Sequence, residues 1–288
     1  MKSPLLFNTL KNILRILAQW TLKKYKPAVI GITGSVGKTS TKEAVYTVLK
    51  GERNVRRSQG NFNNELGVPL TILGDYNAIR GILFWPKVIF QAIGQLLIFN
   101  KKYPEILVLE MAADRPGDIQ YLARLARPKI GVITSIGEIP VHVEFYSSPT
   151  AVAVEKARLI ELLPANGFAI LNRDDELVWN LRIKTRAHII SYGFKEDADI
   201  QIINFEYKFD ENEFPEGITF KIQYGNVFVP FRLFRVMGKP QIYSIAAAVA
   251  VGIVFGINLV KISDYLANYQ PPDHRMQIIK GIKNSVIL

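Results

Sequence analysis

A glycine-rich loop between an apolar run and a helical pattern is the part of the sequence best suited to chemistry. In the segment TGSVGKTS, Gly34 and Gly37 can adopt positive φ, which allows backbone amides to close around an oxyanion. Lys38 would neutralise phosphate charge, and the Thr39 hydroxyl would face a magnesium ion. The usual phosphate-loop pattern has a glycine where this chain has Ile32. The loop therefore predicts phosphate binding, with an ordinary glycine turn as the alternative.

A carboxylate at the end of a second apolar run is a candidate metal ligand. Glu110 closes ILVLE, a run that a solvated glutamate would not normally end. If ILVLE is a strand parallel to the one before the loop, Glu110 and Thr39 lie at the same edge of the sheet. Carboxylate and hydroxyl oxygens suit magnesium. An exposed loop acid is the alternative.

A histidine and a lysine are further candidates for functional residues. His142 lies in GEIPVHVEF, after an apolar run that ends near Thr134, although a loop histidine is more often a surface residue. Ser148 and Pro149 form a good helix start, and the helical pattern that follows places Lys156 on its apolar face. Burial favours the neutral amine, which can react with carbon dioxide to give a carbamate. The alternative is a lysine that extends to solvent and pairs with an acid.

Apolar runs alternate with helical patterns from residue 28 to about residue 192. Because this alternation is typical of parallel strands joined by helices, we expect an α/β domain with a mostly parallel sheet flanked by helices. Residues 199–236 instead predict a small appended antiparallel sheet, since three segments rich in β-branched and aromatic residues are separated by turn signals. The buried parallel strands are predicted at 28–32, 106–109, 129–134, 168–171 and 188–192.

The two ends of the chain lie outside this predicted domain of residues 28–281. Residues 1–27 are predicted to form an amphipathic helix, docked on its own domain or, as the alternative, lying weakly on a membrane surface. Residues 282–288 look like the beginning of an apolar strand with nothing to pair it, which a missing C-terminal domain would explain. The apolar stripe of the first helix contains Leu6, Leu10, Ile13, Leu14 and Leu17.

Neither of the two most apolar segments has the pattern of a membrane span. Lys11 and Arg15 interrupt the first, which also excludes the uninterrupted apolar core of a signal peptide. In the second, residues 79–99, polar residues recur every fourth position from Lys87 onward. That pattern predicts a mostly buried helix rather than a transmembrane segment.

Composition narrows the class of partner. The chain of 288 residues is 49% hydrophobic, which provides enough apolar material for a full core. Its formal charge of +11 favours an anionic partner, such as nucleic acid, anionic lipid or a phosphorylated metabolite. No nucleic-acid recognition motif is present, so we expect no nucleic-acid partner. The absence of cysteine excludes disulfides and thiolate metal sites, and it suits a cytoplasmic protein.

Five segments follow one another between residues 28 and 281: TGSVGKTSTKE, NFNNELGVPLTIL, LEMAADRPGDI, LNRDD and HRM. In this order they resemble the motifs of the Mur ligase family, ATP-dependent amide-forming enzymes of peptidoglycan synthesis. The fourteen positions from His142 to Lys156 equal the family spacing between a histidine metal ligand and a lysine that is often carbamylated. The resemblance implies the phosphate-loop fold of the family's central ATP-binding domain.

The resemblance also implies roles for residues. A substrate carboxylate attacks the γ-phosphate of ATP, and an amine then displaces phosphate from the acyl phosphate to form the amide. Lys38 and Arg275 would stabilise the transferring phosphoryl group, and Thr39 and Glu110 would hold one Mg²⁺. The implied nucleotide-binding residues are Gly34, Ser35, Val36, Gly37, Lys38, Thr39, Ser40, Asn172 and Arg275. His142 and carbamylated Lys156 are the implied ligands of a second metal ion, and Asn61, Asn63 and Asn64 would orient substrate or phosphate.

Within the family, TKE, NNELGVPLT and DRPGDI resemble most the type that adds D-alanyl-D-alanine to a UDP-muramoyl tripeptide. The family's adenine segment departs here, because residues 238–244 lack its histidine and both asparagines, and Ala112 and His274 replace motif glycines. The amino-terminal UDP-binding domain and the carboxy-terminal domain of the family have no counterpart in this sequence. We therefore expect either a fragment of the ligase or half of a split enzyme, in which a separate chain supplies the carboxy-terminal domain. The alternatives are another amide ligase, of the folylpolyglutamate or cyanophycin synthetase type, and a non-catalytic ATP-binding partner.

Overall fold

Among the described residues, the fold is built on a nine-stranded sheet with helices on both faces, and a separate two-stranded sheet lies near the carboxy-terminal end of the chain. In the computed structural model, residues 4–81, 83–137, 146, 148–211, 214–273, 275, 278–281 and 286–287 are described. The strands are β1 (Ala28–Thr33), β2 (Val55–Arg57), β3 (Ile106–Glu110), β4 (Ile130–Ile133), β5 (Phe168–Asn172), β6 (His188–Gly193), β7 (Ile200–Phe209), β8 (Pro215–Tyr224), β9 (Val227–Phe234), β10 (Ile279–Lys280) and β11 (Val286–Ile287). The helices are α1 (Pro4–Tyr25), α2 (Lys38–Leu49), α3 (Gly67–Leu73), α4 (Phe84–Leu97), α5 (Asp118–Ala126), α6 (Pro149–Glu161), α7 (Glu176–Trp179), α8 (Lys239–Val254) and α9 (Leu259–Leu266), with a short 3-10 helix at Asn180–Lys184.

The order of the strands confirms the predicted fold class. Strands run β2-β3-β1-β4-β5-β6-β7-β8-β9, parallel as far as β7 and antiparallel from β7 to β9. The five predicted parallel strands are all present. The antiparallel strands continue the same sheet, because Ile200 of β7 pairs with Tyr192 of β6.

Strand β2 was not predicted from the sequence. It is three residues long and contains Arg56 and Arg57, so it has no apolar run. It forms the edge of the sheet beside β3, where its side chains are only half-buried. An edge strand needs no buried face on both sides, which is why the usual sequence signal is missing.

Two hydrophobic layers hold the sheet between its helices. On one face, α2, α8 and α9 pack against the strands, and α8 is buried along most of its length. On the other face, α1, α3, α4 and α5 share a second core with the side chains of Leu107 and Leu109. Helix α6 contributes to a third cluster beside β4 and β5. The carboxyl ends of the parallel strands are left open between these layers.

Helix α1 lies on its own domain. Leu10, Leu14 and Leu17 are buried in the core shared with β3, as the docked interpretation expects. Leu6 and Ile13 were assigned to the same stripe, but they are exposed. Within the described residues, no helix is both long and apolar enough to cross a membrane.

The prediction of a mostly buried helix within 79–99 is wrong. In α4 only Val88 and Ala92 are buried, whereas Phe90 is 73% and Leu97 is 81% exposed. The helix is apolar on nearly every side, but it lies in the outer layer and contacts the domain along one face only. Apolar periodicity identifies a helix, and burial depends on what packs against each face.

The carboxy-terminal strand is present, but the expectation that nothing pairs it is wrong. β11 pairs antiparallel with β10, through Ile279 with Ile287 and Lys280 with Val286. The partner comes from residues just before it in the chain. A two-residue pairing of this kind gives little signal in the sequence.

A buried carboxylate on α6 fixes the start of α5. Glu155 is 6% exposed and accepts hydrogen bonds from the backbone amides of Gly117 (2.9 Å) and Ile119 (2.8 Å). These amides lie at the amino end of α5, where the helix dipole favours negative charge and no side chain of α5 caps the helix.

We therefore expect Glu155→Gln to lower the free energy of unfolding by about 1 to 3 kcal/mol, because one amide loses a charged acceptor. Urea denaturation measures the change. Glu161→Gln on the same helix is the matched control. Its carboxylate pairs with Arg158 and Lys184 near the surface, so the cost should stay below about 1 kcal/mol. Equal effects of the two substitutions would contradict the proposed link between α6 and α5.

Candidate functional site

The glycine-rich loop lies between β1 and α2, at the carboxyl edge of the sheet. Gly37 precedes α2 with a φ of 88°, and Gly34 has a φ of 150°. A Cβ atom on Gly34 would lie 1.9 Å from Thr134 Oγ1, so no larger residue fits there. The loop and the first turn of α2 thus have the backbone conformation expected of an anion-binding loop.

The end of β4 holds this loop in place. The backbone carbonyl of Ser135 accepts a hydrogen bond from the Ser35 amide at 2.6 Å, and Thr134 Oγ1 donates to the Val36 carbonyl at 2.6 Å. Neither Thr134 nor Ser135 was singled out from the sequence. Their position directly after a predicted strand was the available signal, because ligand sites of parallel sheets form there.

Lys38 lies over the loop that precedes it. Its ammonium donates to the carbonyls of Gly34 (2.8 Å) and Ser35 (3.1 Å). Burial lowers the pKa of Lys38, the positive charge of Arg275 lowers it further, and Glu110 opposes both effects. The exposed Arg275 therefore influences Lys38 through its charge.

Glu110 is the centre of a buried polar cluster at the end of β3. Its Oε1 accepts hydrogen bonds from Thr39 Oγ1 (3.3 Å) and Asn63 Nδ2 (3.1 Å). Its Oε2 lies 3.5 Å from the ammonium of Lys42, which is 1% exposed. Lys42 was not identified from the sequence, since nothing in an amphipathic helix shows which distant carboxylate a lysine will meet.

The cluster fits a magnesium ion. Glu110 Oε2 is buried and has no hydrogen-bond partner among the described residues, and Thr39 supplies a hydroxyl beside it. Across the part of the chain that is described, no three His, Cys, Asp or Glu residues group together as a metal site. Two protein oxygens suit magnesium in particular, because this ion usually keeps water and phosphate oxygens as its other ligands.

A cavity of about 760 Å³ extends from the loop across the ends of β4 and β5. Its volume lies in the range of small-molecule and cofactor sites. Val36, Gly37 and Asn172 line it, as does Thr41, whose buried hydroxyl has no hydrogen-bond partner among the described residues. Ser40 points elsewhere, because its hydroxyl accepts a hydrogen bond from Gln241 in the interior.

Two aspartates after β5 fix the walls of the cavity. Asp175 accepts hydrogen bonds from Ser135 Oγ and from the Ile136 and Gly137 amides. Asp174 accepts from the backbone amides of residues 194 and 195 and from the Tyr243 hydroxyl at 2.9 Å. The LNRDD segment thus holds three neighbouring loops together, a role that the sequence motif did not reveal.

The segment that departs from the family's adenine motif lies at the far end of the cavity. Pro240, Tyr243 and Ser244 line it at the start of α8. Burial raises the pKa of Tyr243, and the hydrogen bond to Asp174 raises it further, so the hydroxyl remains a donor at neutral pH. The carbonyl of Arg275 accepts a hydrogen bond from Gln241 Nε2 at 2.9 Å, which ties the HRM segment to α8.

Lys156 is buried on α6, with 2% of its surface exposed. Burial, and after it the charge of Lys38, lower its pKa to about 7, although Glu155 and Asp114 oppose the shift. A lysine that extends to solvent would be more exposed, so that alternative does not fit. His142, its predicted partner, lies outside the described residues.

The three asparagines occupy different positions. Asn63 contacts Glu110, whereas the side chain of Asn64 accepts hydrogen bonds from the amides of Leu66 and Gly67 at the start of α3. Asn61 is exposed. Only Asn63 therefore lies in the carboxylate cluster itself.

A parallel sheet with this loop, a buried carboxylate on the neighbouring strand and a cavity between them defines a phosphate-loop nucleotide-binding domain. Residues 32–80 and 91–252 match the Mur ligase middle domain. Because the match spans more than half of the chain, this protein belongs to the Mur ligase family.

Individual relatives agree with this assignment. The chain is 31% identical over 270 residues to the UDP-N-acetylmuramoyl-tripeptide--D-alanyl-D-alanine ligase of Bacillus subtilis, covering 93% of this chain and 50% of that protein. It is 28% identical to the Escherichia coli protein of the same name, covering 94% and 53%. The chain spans about half the length of the curated relatives it matches.

Solved structures show the same architecture. MurF ligase of Thermotoga maritima in complex with ADP has a TM-score of 0.75 and 28% identity, covering 94% of this chain and 55% of that one. MurF from Acinetobacter baumannii has a TM-score of 0.76 and 23% identity, covering 94% and 52%, and this likeness concerns the fold alone.

The ion pair between Lys42 and Glu110 generates a stability prediction. Lys42→Met should lower the free energy of unfolding by about 3 to 5 kcal/mol, because it leaves a buried carboxylate without its cation. In Lys42→Met combined with Glu110→Gln, the buried charge is also removed, so most of that loss should be recovered. Urea denaturation without magnesium measures both variants.

Lys50→Met at the end of the same helix is the control for the loss of a lysine, since Lys50 is exposed. Its effect should stay within about 0.5 kcal/mol. Additive losses in the double variant would show that Lys42 and Glu110 do not interact in the folded protein.

Proposed function

We propose that this chain is the ATP-binding central part of a ligase that adds D-alanyl-D-alanine to UDP-N-acetylmuramoyl tripeptide. The observation that carries the proposal is the buried Glu110 carboxylate, held beside Thr39 at the edge of the phosphate loop. The substrates are proposed from the names of the relatives that match 93% and 94% of the chain. The reaction would serve peptidoglycan synthesis, and through it cell shape and division, in the cytoplasm.

The proposed mechanism places cationic groups where negative charge develops on the transferring phosphoryl group. The substrate carboxylate attacks the γ-phosphate of ATP, and the bond to the β-phosphate oxygen breaks, so that ADP leaves and an acyl phosphate forms. The amine of D-alanyl-D-alanine then attacks the acyl carbon, and the amide forms with release of phosphate and a proton. Lys38 and Arg275 would stabilise the negative charge of the transferring phosphoryl group. Thr39 and Glu110 would hold Mg²⁺, which neutralises phosphate oxygens when bound.

Other residues of the site would position these groups. Asn63 and Lys42 orient the Glu110 carboxylate, and Asn172 lies in the nucleotide cavity. We further propose that Lys156 carries a carbamate and, with His142, holds a second metal ion near the acyl phosphate. Support comes from the burial of Lys156 and from its pKa of about 7, which leaves much of the amine neutral at physiological pH.

The remaining parts of the ligase would come from outside this domain. The resemblance implies that a carboxy-terminal domain contributes to nucleotide and amine binding. We propose that this part of the ligase binds ATP and that ligation also requires that carboxy-terminal domain. An amide ligase of the folylpolyglutamate or cyanophycin synthetase type is the alternative within the family, and its substrates would replace the muramoyl peptide.

A second candidate function, non-catalytic ATP binding, is favoured by one observation. Pro240 and Ser244 line the cavity at the position of the family's adenine motif, and together with Gln241 they replace its histidine and both asparagines. A nucleotide-binding partner of another enzyme would need affinity for ATP but no complete set of catalytic groups. The two functions differ in whether addition of the acceptor substrate causes bound ATP to be converted to ADP.

The first test measures nucleotide binding and turnover. Isothermal titration should show magnesium-dependent ATP binding to the wild-type chain, and Lys38→Ala should weaken it at least about 100-fold, since the phosphates lose their main cation. Lys50→Ala is the matched control and should bind like wild type. Unchanged ATP affinity in Lys38→Ala would overturn the phosphate-loop assignment.

Ligation is tested with the same proteins in the presence of the candidate substrates. UDP-muramoyl tripeptide with D-alanyl-D-alanine should stimulate ADP release when this chain is combined with a carboxy-terminal domain of the ligase, and the amide product should be detectable by mass spectrometry. Stimulation by folate and glutamate, or by aspartate and arginine, would identify the alternative ligase types. ATP binding without turnover under every condition would support the non-catalytic function.

Carbamylation of Lys156 can be measured without turnover. Carbon-13 bicarbonate should give a protein carbamate resonance in the wild-type chain that grows as pH rises through about 7, because only the neutral amine reacts with carbon dioxide. Lys156→Arg should lack this resonance, whereas Lys239→Arg, at an exposed lysine, should keep it. A resonance that persists in Lys156→Arg would contradict the proposal.

A further inference from the structure

Two neighbouring helices present large apolar side chains to solvent. On α1 the exposed residues recur at helical spacing through Ile13, Ile16 and Trp20, which is 59% exposed. On α4 they include Phe90 and Leu97, on the side opposite the buried Val88 and Ala92. We refer to these side chains together as the α1–α4 face, and its members are Leu5, Leu6, Ile13, Ile16, Trp20, Leu83, Phe90, Ile93, Leu97, Ile98 and Phe99.

The two stripes belong to one surface. The buried sides of α1 and α4 enter the same hydrophobic core, so their exposed sides both point away from the same face of the sheet. The carboxyl ends of the helices are tied together, because Lys24 Nζ donates to the carbonyls of Gln95 and Leu96. The rings of Tyr25 and Phe99 lie 5.4 Å apart at the same place. Exposed apolar residues of this number on one surface are unlike the scattered ones of an ordinary monomer.

The two chain segments that form this face carry only positive charge. No Asp or Glu occurs in residues 1–42 or 76–104, the two segments that contain α1 and α4. The exposed Asp75, from outside these segments, lines a pocket together with Lys87 and Ile98. Exposed lysines occur instead along α4 and just after both helices. These exposed lysines are Lys23, Lys26, Lys87, Lys101 and Lys102.

The nucleotide site does not account for these lysines. Residues 23–26 and 101–102 precede β1 and β3, so they lie toward the amino ends of the strands. The phosphate loop follows the carboxyl end of β1, and Glu110 is at the carboxyl end of β3. One strand length, about 17 to 20 Å, therefore separates the lysines from the site. A second anionic partner is needed to explain them.

We propose that the α1–α4 face binds the surface of a membrane that contains anionic phospholipid. The apolar side chains would enter the boundary between headgroups and acyl chains, while the lysines meet lipid phosphates. Trp20 and Phe99 are aromatic residues beside lysines, a combination typical of membrane interfaces. Binding of this kind is peripheral, in agreement with the absence of a spanning helix among the described residues.

A second copy of the chain fits this face less well. A two-fold dimer through the face would bring each set of lysines against the other, with no carboxylate from either segment to pair with them. An anionic lipid surface offers both an apolar interior and negative charge. Bound in this way, the carboxyl edge of the sheet would not face the membrane, so the nucleotide cavity, which is lined in part by α8 on the opposite face of the sheet, stays accessible.

Vesicle flotation tests the proposal with the full chain. The wild-type protein should float with vesicles that mix phosphatidylglycerol and phosphatidylcholine, and it should bind pure phosphatidylcholine at least about tenfold more weakly, because each lysine near an anionic surface contributes about fivefold. Binding should weaken as salt is raised. ATP affinity is measured on the same samples, so that a loss of nucleotide binding can be distinguished from a loss of membrane binding.

Two double variants measure separately how the apolar side chains and the lysines contribute to membrane binding. Phe90→Ser combined with Leu97→Ser should reduce binding to the anionic vesicles at least about tenfold, since two apolar insertions are lost. Lys101→Glu combined with Lys102→Glu should reduce it by a similar factor. Ile183→Ser is the matched control, because Ile183 is 81% exposed but lies on the 3-10 helix away from this face. It should float like wild type.

Three results would overturn the proposal. The first is no binding to anionic vesicles, and the second is equal binding by wild type and both double variants. The third is a wild-type dimer in analytical ultracentrifugation that becomes a monomer in Phe90→Ser combined with Leu97→Ser, which would assign the face to a second copy of the chain.

Discussion

The site depends on one buried carboxylate. Glu110 accepts hydrogen bonds from Thr39 and Asn63 and lies beside the ammonium of Lys42, so β3, the start of α2 and the loop before α3 meet at a single group. A charge in this position costs desolvation energy, which only close cations and donors offset. Its second oxygen has no hydrogen-bond partner among the described residues, which is the feature expected of a ligand for a cation that arrives with phosphate. The sheet order, with β3 next to β1, is what brings this carboxylate to the phosphate loop.

The cavity beyond that cluster is held open by backbone contacts rather than by conspicuous catalytic groups. Thr134 and Ser135 fix the loop, and Asp174 and Asp175 accept hydrogen bonds from the amides of two neighbouring segments and from the Tyr243 hydroxyl. Such contacts keep donors and charges in position before a ligand binds, which is how a phosphoryl-transfer site lowers its barrier. The part of the cavity formed by α8 is lined by Pro240, Tyr243 and Ser244 and lacks the histidine and asparagines of the family's adenine motif.

The charge of the chain is also distributed unevenly. Lys38 and Arg275 act at the carboxyl edge of the sheet, where a nucleotide would bind, whereas the lysines after α1 and α4 lie toward the opposite edge. A formal charge of +11 is therefore not explained by one ligand. The α1–α4 face and the exposed lysines beside it form a second surface, which is separate from the nucleotide site.

The sequence by itself determined the five parallel strands, the antiparallel segment, the phosphate loop and the candidate roles of Glu110 and Lys156. These features depend on local periodicity, on glycine conformations and on the rule that ligands bind at strand ends, all of which act over short stretches of chain. Only the tertiary structure decided which lysine meets Glu110, which threonine fixes the loop, and that α4 leaves Phe90 and Leu97 exposed. Those outcomes depend on contacts between residues far apart in the chain, and a pattern along one helix contains no information about what packs against each of its faces.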